Sequence, residues 1–375
     1  MTQQNSFSRK HTGTHGGNIY RVAEQLGIEE SEIIDFSASI NPLGVPKSVM
    51  SDMRDAMKQL CHYPDPDTKQ LRLWLAKHMD LNPHSLLCGN GSTELIYLIV
   101  RALRPERVLI PAPSFSEYER AVNDPSKVSW HILWEKNGFA VNPDRFIADM
   151  AGKTDATSYK SALATSVDMA FLCNPNNPTG KLLSREDMLK IAEAAKKLKC
   201  FLVVDEAFID FVPEYSIIKE VENNPYLIVL RSLTKFYALS GIRIGFAVLP
   251  SSIIDVVRGY KEPWTVNTLA QVAGIAALND TAYQEETFRV VRNEKKVLED
   301  GFKLLGIQYF PSAVNYYLLK RDNAQEIAAA LLKKGIMVRD CSSFMGLDGT
   351  YLRVAVKSNR ENMRLLKELA PVCMA

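Results

Sequence analysis

The sequence predicts an α/β protein with a large domain on a mostly parallel, helix-covered sheet and a smaller α+β domain. Short apolar segments of strand length alternate with amphipathic segments through the first two thirds of the chain, which favours parallel βαβ units. Beyond Pro250 the pattern changes to a helix-rich stretch followed by shorter strand-like segments. We therefore predict a large domain at 48–255, and a smaller one formed by 1–47 together with 256–375.

Composition excludes several classes of function. Among 375 residues, 45 are basic and 43 acidic, and no basic block is present, so we expect no nucleic-acid partner. No signal segment and no membrane-spanning run is evident, which argues against a membrane protein. The six cysteines have neither zinc-ligand nor CxxC spacing, so we predict no metal and a reduced, cytoplasmic protein. Cys88, Cys173 and Cys200 fall in apolar segments and are expected in the core.

The N-terminal region contains a candidate ligand contact. His15-Gly16-Gly17-Asn18 leads into a predicted helix, IYRVAEQL, that Gly27 closes. An extended segment at 33–46 follows, punctuated by Asn-Pro and Gly. Two glycines beside a histidine allow the backbone to approach a ligand closely. Without other support, an ordinary loop in which the histidine has no function is the more common explanation of such a stretch.

The stretch SLLCGNGSTELIYLIVRAL predicts a short strand, a tight Gly-Asn-Gly turn and a helix that starts near Ser92. A helix N-terminus after glycines offers free N–H groups to a phosphate. The spacing matches neither a P-loop nor a dinucleotide fingerprint, so the signal is weak in isolation.

Chemically useful residues recur where predicted strands end. In open parallel sheets, ligands bind at the carboxyl ends of the strands. We therefore expect one site to collect residues that each follow a separate strand: Gly91, Phe115, Asn177, Asp205 and Lys235.

The stretch Arg231-Ser232-Leu233-Thr234-Lys235, with Arg243 eight residues after the lysine, brings hydroxyls and cations to one strand end. This set suits a phosphate anchor beside an amine nucleophile, as lysine-bound pyridoxal phosphate (PLP) requires. The alternative, a solvated lysine after a strand, does not explain the neighbouring candidates.

Each candidate fits one requirement of PLP. Lys235 supplies the amine, and Asp205 an anion opposite the pyridine nitrogen. Phe115 could stack on the ring, and Asn177 could donate a hydrogen bond to the ring oxygen. The predicted phosphate clamp consists of Gly91, Ser92, Ser232, Thr234 and Arg243.

Three motifs carry a resemblance to a known family: NPNNPTG at 174–180, DEAF at 205–208 and SLTKFYALSGIRIGF at 232–246. With them, the chain resembles fold-type I PLP enzymes of the class I/II aminotransferase superfamily over nearly its whole length. The resemblance implies a homodimer in which Tyr63 reaches the cofactor phosphate of the neighbouring subunit. It also places Phe208 beside the cofactor.

Two branches of the superfamily are similar to this chain. HGGNIY, DFSASINPLGVP, YPDP and PWTVN are more similar to threonine-phosphate decarboxylases, which convert L-threonine O-3-phosphate to (R)-1-amino-2-propanol O-2-phosphate for cobalamin synthesis. The alternative is a histidinol-phosphate aminotransferase, which typically carries tyrosine at the position of Phe208. A catalytically silent PLP-fold sensor is disfavoured, because Lys235 and its partners are all retained.

The resemblance to the decarboxylases also implies a site for a small phosphorylated amino acid. Arg353 is similar to the arginine that binds the α-carboxylate, and Arg339 matches a second substrate-binding arginine. His15 and Gly16 match N-terminal substrate contacts, and Asn177 also borders the substrate. The decarboxylases usually have asparagine where this chain has Ser39, so phosphoserine is an alternative substrate.

Overall fold

The computed structural model describes residues 16–153 and 165–374, with side chains to residue 372. The strands are β1 (Ile34–Asp35), β2 (Leu86–Gly89), β3 (Val108–Ala112), β4 (Val128–Ile132), β5 (Met169–Cys173), β6 (Phe201–Asp205), β7 (Leu227–Ser232), β8 (Gly245–Val248), β9 (Gln308–Tyr309), β10 (Tyr316–Lys320), β11 (Ile336–Met337), β12 (Arg339–Asp340) and β13 (Tyr351–Ala355).

The helices alternate with these strands in the first two thirds of the chain and flank the shorter strands afterwards. They are α1 (Ile19–Leu26), α2 (Lys47–Ala56), α3 (Lys69–Met79), α4 (Ser92–Leu103), α5 (Glu117–Val122), α6 (Pro143–Met150), α7 (Arg185–Leu198), α8 (Ile254–Gly259), α9 (Thr268–Asn279), α10 (Thr281–Leu304), α11 (Ala324–Leu332) and α12 (Asn359–Met374).

The large sheet has seven strands in the order β2-β8-β7-β6-β5-β3-β4. The pairs β4/β3, β3/β5, β5/β6 and β6/β7 are parallel, and only β8 runs antiparallel to its two neighbours. The predicted α/β class with a mostly parallel sheet is confirmed. The carboxyl ends of β2, β3, β5, β6 and β7 consequently lie along one edge of the sheet.

Successive side chains of the buried strands point to opposite faces of the sheet and so form two core layers. In β6, Leu202 and Val204 pack into one apolar cluster, whereas Val203 packs into the cluster on the opposite face. Both faces are covered by helices, which explains why these strands are continuously apolar rather than alternating with polar residues. Cys88, Cys173 and Cys200 are buried and free, as predicted.

A second, four-stranded antiparallel sheet has the order β12-β13-β10-β9. Its core includes Phe36 from the N-terminal segment, together with Phe302, Tyr317 and Leu365 from the C-terminal part of the chain. The N-terminal segment also contributes β1, which pairs in parallel with β11. The residues from Ile34 to Phe36 thus pack with the C-terminal part of the chain. The division into 48–255 and 1–47 with 256–375 stays a prediction.

Local boundaries follow capping residues. Helix α4 begins at Ser92, as predicted, and the Ser184 side chain accepts the N–H of Asp187 at 3.0 Å to cap α7. Strand β4 pairs over Val128–Ile132 with the whole of β3, and the chain then turns at the exposed Trp134. Across 16–153 and 165–374, no helix is long and apolar enough to cross a membrane.

Candidate active site

A cavity of about 430 Å³ opens at the carboxyl edge of the large sheet and is closed on the other side by the small-domain strands. Most of the predicted site residues line it: Gly16, Ser39, Ser92, Phe115, Asn177, Asp205, Phe208, Ser232, Thr234, Lys235, Arg243, Arg339 and Arg353. Gly91 lies against the side chain of Arg243. His15 lies outside the described residues.

Tyr63 is not in the cavity of its own chain. Its side chain is 81% exposed, and its ring lies 4.8 Å from the ring of Trp264. The structure therefore leaves Tyr63 on the surface of the chain.

Lys235 follows β7 and lines the cavity. Its Nζ lies 6.0 Å from the ring centre of Phe208. Burial, together with the charges of Arg353 and Arg243, lowers the pKa of this amine to about 8, although Asp205 and Asp35 oppose the shift. A lysine in this setting is partly uncharged at neutral pH, as a nucleophilic amine must be.

Asp205 ends β6 and is almost completely buried. Its Oδ2 accepts the Tyr118 hydroxyl at 2.8 Å, and its Oδ1 accepts the N–H of Ala207 at 3.0 Å. Burial raises the pKa of the carboxyl group, whereas these two hydrogen bonds and the charge of Lys235 lower it. A cation placed opposite Asp205 would favour the ionised form in the same way.

The sequence did not point to Tyr118. It is fully buried, stacks on Phe171 with ring centres 4.7 Å apart, and contacts Phe115 edge-on at 5.7 Å. The available signal was an aromatic residue one helical turn after Phe115, at the start of α5. Tyr118 therefore links the wall residue Phe115 to the carboxylate of Asp205.

The N-terminus of α4 and the chain around β7 and β8 form a small polar cradle. The Ser232 and Thr234 hydroxyl oxygens lie 2.7 Å apart. Gly91 has φ +80°, and a Cβ at this position would lie 2.5 Å from Nη2 of Arg243. The arginine thus packs directly over a glycine that leads into the free N–H groups of α4. Hydroxyls, helix N–H groups and a guanidinium together favour a phosphate.

Two arginines enter the cavity from the small domain at opposite register positions, Arg339 on β12 and Arg353 on β13. Arg353 hydrogen-bonds the Asn177 side chain and donates from Nη2 to the Ser37 carbonyl oxygen at 2.7 Å. Its Nε is buried without a hydrogen-bond partner in the described part of the chain. Burial lowers the pKa of Arg339, and the neighbouring Arg353 adds to this effect.

The surroundings of Arg339 are partly aromatic. Its Nη2 donates to the Ser343 hydroxyl at 2.9 Å, and its guanidinium lies 5.3 Å from the ring centre of Phe344. Phe344 also lines the cavity, although no sequence pattern had pointed to it.

Ser39 is 1% exposed, and its hydroxyl has no hydrogen-bond partner among residues 16–153 and 165–374. Its carbonyl oxygen accepts the side-chain amide of Asn315 at 3.1 Å. An unpartnered buried hydroxyl facing a cavity is costly unless a ligand or water completes it.

A model of the family described as aminotransferase class I and II matches residues 31–369. The chain belongs to this family. A threonine-phosphate decarboxylase of Salmonella typhimurium is 39% identical over 363 residues, 96% of each chain. The histidinol-phosphate aminotransferase structure from Clostridium acetobutylicum is 30% identical, with a TM-score of 0.81 over 90% of this chain and 98% of that one. The L-threonine-O-3-phosphate decarboxylase structure from Porphyromonas gingivalis is 27% identical, with a TM-score of 0.76 over 91% and 99%.

The resemblance that the sequence motifs predicted is thus confirmed, and the chain is a PLP-dependent enzyme of the class I and II aminotransferase family. The residues that line the cavity also fit this cofactor, independently of the family match. It offers an amine with a lowered pKa at Lys235 and a buried carboxylate at Asp205. It also holds a phosphate cradle that a side chain at Gly91 would obstruct.

Proposed function

We propose that the enzyme decarboxylates L-threonine O-3-phosphate to (R)-1-amino-2-propanol O-2-phosphate and CO2, a product used in cobalamin synthesis. The observation that carries this proposal is the paired position of Arg339 and Arg353 in the cavity wall. Two like charges directly opposite each other on neighbouring strands destabilise the free protein. A substrate with two anionic groups relieves that repulsion.

The donors of Arg353 suit a carboxylate. A guanidinium has five N–H donors, and in the described residues Arg353 directs two of them to protein oxygens. Its Nε is buried and has no hydrogen-bond partner within 16–153 and 165–374. We infer that Arg353 binds the α-carboxylate in a bidentate manner and that Arg339 binds the substrate phosphate. Ser39 and the backbone at Gly16, with His15 before it, are proposed as further substrate contacts.

The cofactor's phosphate would have a separate site. Ser232, Thr234 and Arg243, with the Gly91–Ser92 backbone, are proposed to hold it, while Lys235 binds the aldehyde carbon covalently. Phe115 and Phe208 would flank the ring, and Asn177 would donate to its oxygen. PLP so bound supplies an electron sink for the pair released at Cα.

The chain's own contribution to the reaction is orientation and proton supply. Arg353 would hold the carboxylate so that its bond to Cα is aligned for cleavage, and CO2 leaves with the bonding pair left behind. Lys235 is proposed to return a proton to Cα from its ammonium form. Asp205, fixed by Tyr118, would keep the pyridine nitrogen protonated. Phe208 lacks a hydroxyl, so it can exclude water from this face without donating a hydrogen bond.

We also propose a homodimer in which Tyr63 completes the partner's cofactor phosphate site. This tyrosine is exposed and does not line the cavity of its own chain, and both observations support the proposal. The exposed side chains of Met50 in α2 and of Met57, directly after this helix, offer additional apolar surface for a subunit contact.

The test is product analysis without an amino-group acceptor. Purified enzyme loaded with PLP receives O-phospho-L-threonine and no keto acid, and CO2 and aminopropanol phosphate are quantified. We expect equal amounts of the two products, and none from a Lys235→Ala variant. Turnover that requires 2-oxoglutarate and yields glutamate would refute the decarboxylase and establish an aminotransferase.

The same product analysis tests two related activities when it is repeated with histidinol phosphate plus 2-oxoglutarate and with O-phospho-L-serine alone. Histidinol-phosphate aminotransferase is the first, because a structure with that name is 30% identical and has a TM-score of 0.81. Decarboxylation of phosphoserine is the second. The serine side chain at position 39 is shorter than asparagine and has one hydrogen-bond donor instead of two, which could change the substrate that fits. A Ser39→Asn variant with unchanged preference between phosphothreonine and phosphoserine would remove Ser39 as a determinant of selectivity.

A further inference from the structure

Ser37 lies in the cavity wall although no sequence pattern assigned it a role. It is 1% exposed and lies two residues after β1. Here the N-terminal segment passes between β11, which precedes Arg339, and β13, which contains Arg353. The preceding residue, Phe36, donates its N–H to the Met337 carbonyl at 2.8 Å and accepts the N–H of Ala355 at 2.9 Å. Ser37 is therefore held close to both β11 and β13.

The hydroxyl of Ser37 has both of its roles fixed. It donates to Oδ1 of Asp35 at 2.6 Å, because a carboxylate oxygen can only accept. It accepts the backbone N–H of Gly17 at 2.7 Å. The same Oδ1 atom accepts the N–H groups of Ser37 at 2.8 Å and Ala38 at 3.2 Å, so the turn is organised by a single carboxylate oxygen.

The carbonyl of Ser37 faces the substrate arginine. Its oxygen accepts Nη2 of Arg353 at 2.7 Å. A Cβ on Gly16 would lie 2.6 Å from this oxygen, so the glycine packs directly against the carbonyl that holds the guanidinium. Only glycine permits so close an approach at this position.

We propose that Ser37 is a positioning residue for the carboxylate-binding arginine, and that its hydroxyl couples Gly16–Gly17 to the orientation of Arg353. Asp35 organises the turn, and the Ser37 hydroxyl ties the backbone of Gly17 to it. The turn in turn directs the Ser37 carbonyl oxygen, which accepts the guanidinium of Arg353. This inference rests on the proposed function in one respect, that Arg353 binds the substrate carboxylate.

The test compares two ligands that differ only by a carboxylate, O-phospho-L-serine and O-phosphoethanolamine. Binding to the PLP-loaded full chain is measured by stopped flow from the change in cofactor absorbance before turnover. In Ser37→Ala we expect Kd for O-phospho-L-serine to rise about tenfold, because the turn loses the hydroxyl's hydrogen bonds to Gly17 and Asp35. Kd for O-phosphoethanolamine should stay within about twofold, because it has no group for Arg353.

Two further variants separate positioning from general loosening. Asp35→Ala removes the other partner of the same hydroxyl, so the double variant should weaken O-phospho-L-serine no more than the stronger single variant. Ser129→Ala removes a buried serine hydroxyl in β4, outside the cavity, and should change neither Kd. Ser37→Ala keeps the backbone bonds to Asp35, and its thermal midpoint should stay close to that of the parent.

Equal weakening of both ligands in Ser37→Ala would overturn the proposal, and so would unchanged binding of O-phospho-L-serine. Additive effects of the two substitutions would show that Asp35 and Ser37 do not act as one unit. The decarboxylase assignment fails separately: enzyme that binds O-phospho-L-threonine without releasing CO2 refutes the reaction. The Ser37 comparison remains interpretable in that case because it measures binding.

Discussion

The ionisation of Lys235 gives a quantitative prediction. With a pKa of about 8, about a tenth of the amines are uncharged at pH 7, against about one in three thousand for a lysine with the ordinary value of 10.5. Only the uncharged amine attacks an aldehyde. The rate at which cofactor-free enzyme captures PLP should therefore rise tenfold per pH unit below about 8 and level off above it.

The assay follows the absorbance of the covalent enzyme–PLP species. Rates are divided by those of Nα-acetyllysine expressed per uncharged amine, which cancels the titration of PLP itself and leaves that of Lys235. Arg353→Met should move the midpoint upward, because a cation that repels the protonated amine is removed. Arg339→Met is the matched control, because Arg339 is not among the groups that shift the pKa of Lys235. A parent midpoint near 10.5, or equal shifts in both variants, would refute the reasoning.

Three other predictions concern the cofactor site and the subunit contact. Gly91→Ala should raise Kd for PLP about tenfold or more in equilibrium dialysis, because its Cβ would displace Arg243. The control Gly27→Ala also has a positive φ, +67°, but no atom lies near its added Cβ, so Kd for PLP should not change. Tyr118→Phe removes the buried hydroxyl that donates to Asp205. It should lower kcat about tenfold and the free energy of unfolding by about 1–3 kcal/mol. Unchanged values would show that Tyr118 does not support the site. Mixing inactive Lys235→Ala and Tyr63→Ala enzymes, with subunit exchange, should restore about a quarter of the parent activity, since half the dimers are hybrids with one intact site. No recovery would argue against a shared site.

The large-domain half of the site was predictable because each residue follows a strand. Asn177, Asp205 and Lys235 stand at fixed places after apolar segments, and the parallel sheet brings such places to one edge. Their proximity is therefore a consequence of the strand order. Their chemical roles still rest on family resemblance and stay proposals.

The supporting contacts were not predictable from spacing. Tyr118 meets Asp205 across 87 positions, and Ser37 meets Arg353 across 316. Such contacts depend on packing between elements that carry no local signal for each other. Tyr118 sits in a six-residue helix with no distinguishing pattern, and Ser37 is one of many serines in polar loops. The two-residue strand β1 was likewise hidden inside a longer extended segment, because its partner β11 is distant in sequence.

The cofactor-binding residues and the proposed substrate-binding residues come from different parts of the chain. This explains why the motifs identify the cofactor more securely than the reaction. The large domain supplies the lysine, the carboxylate and the phosphate cradle, which any reaction of bound PLP requires. The small domain supplies Arg339 and Arg353, and the N-terminal turn at Ser37 sets the direction of the second. The bond at Cα that breaks is the one that binding aligns, so selectivity should respond to changes at Ser37, Ser39 and Phe344. Changes in the phosphate cradle should instead affect the capture of the cofactor and leave the choice between decarboxylation and amino transfer unaltered.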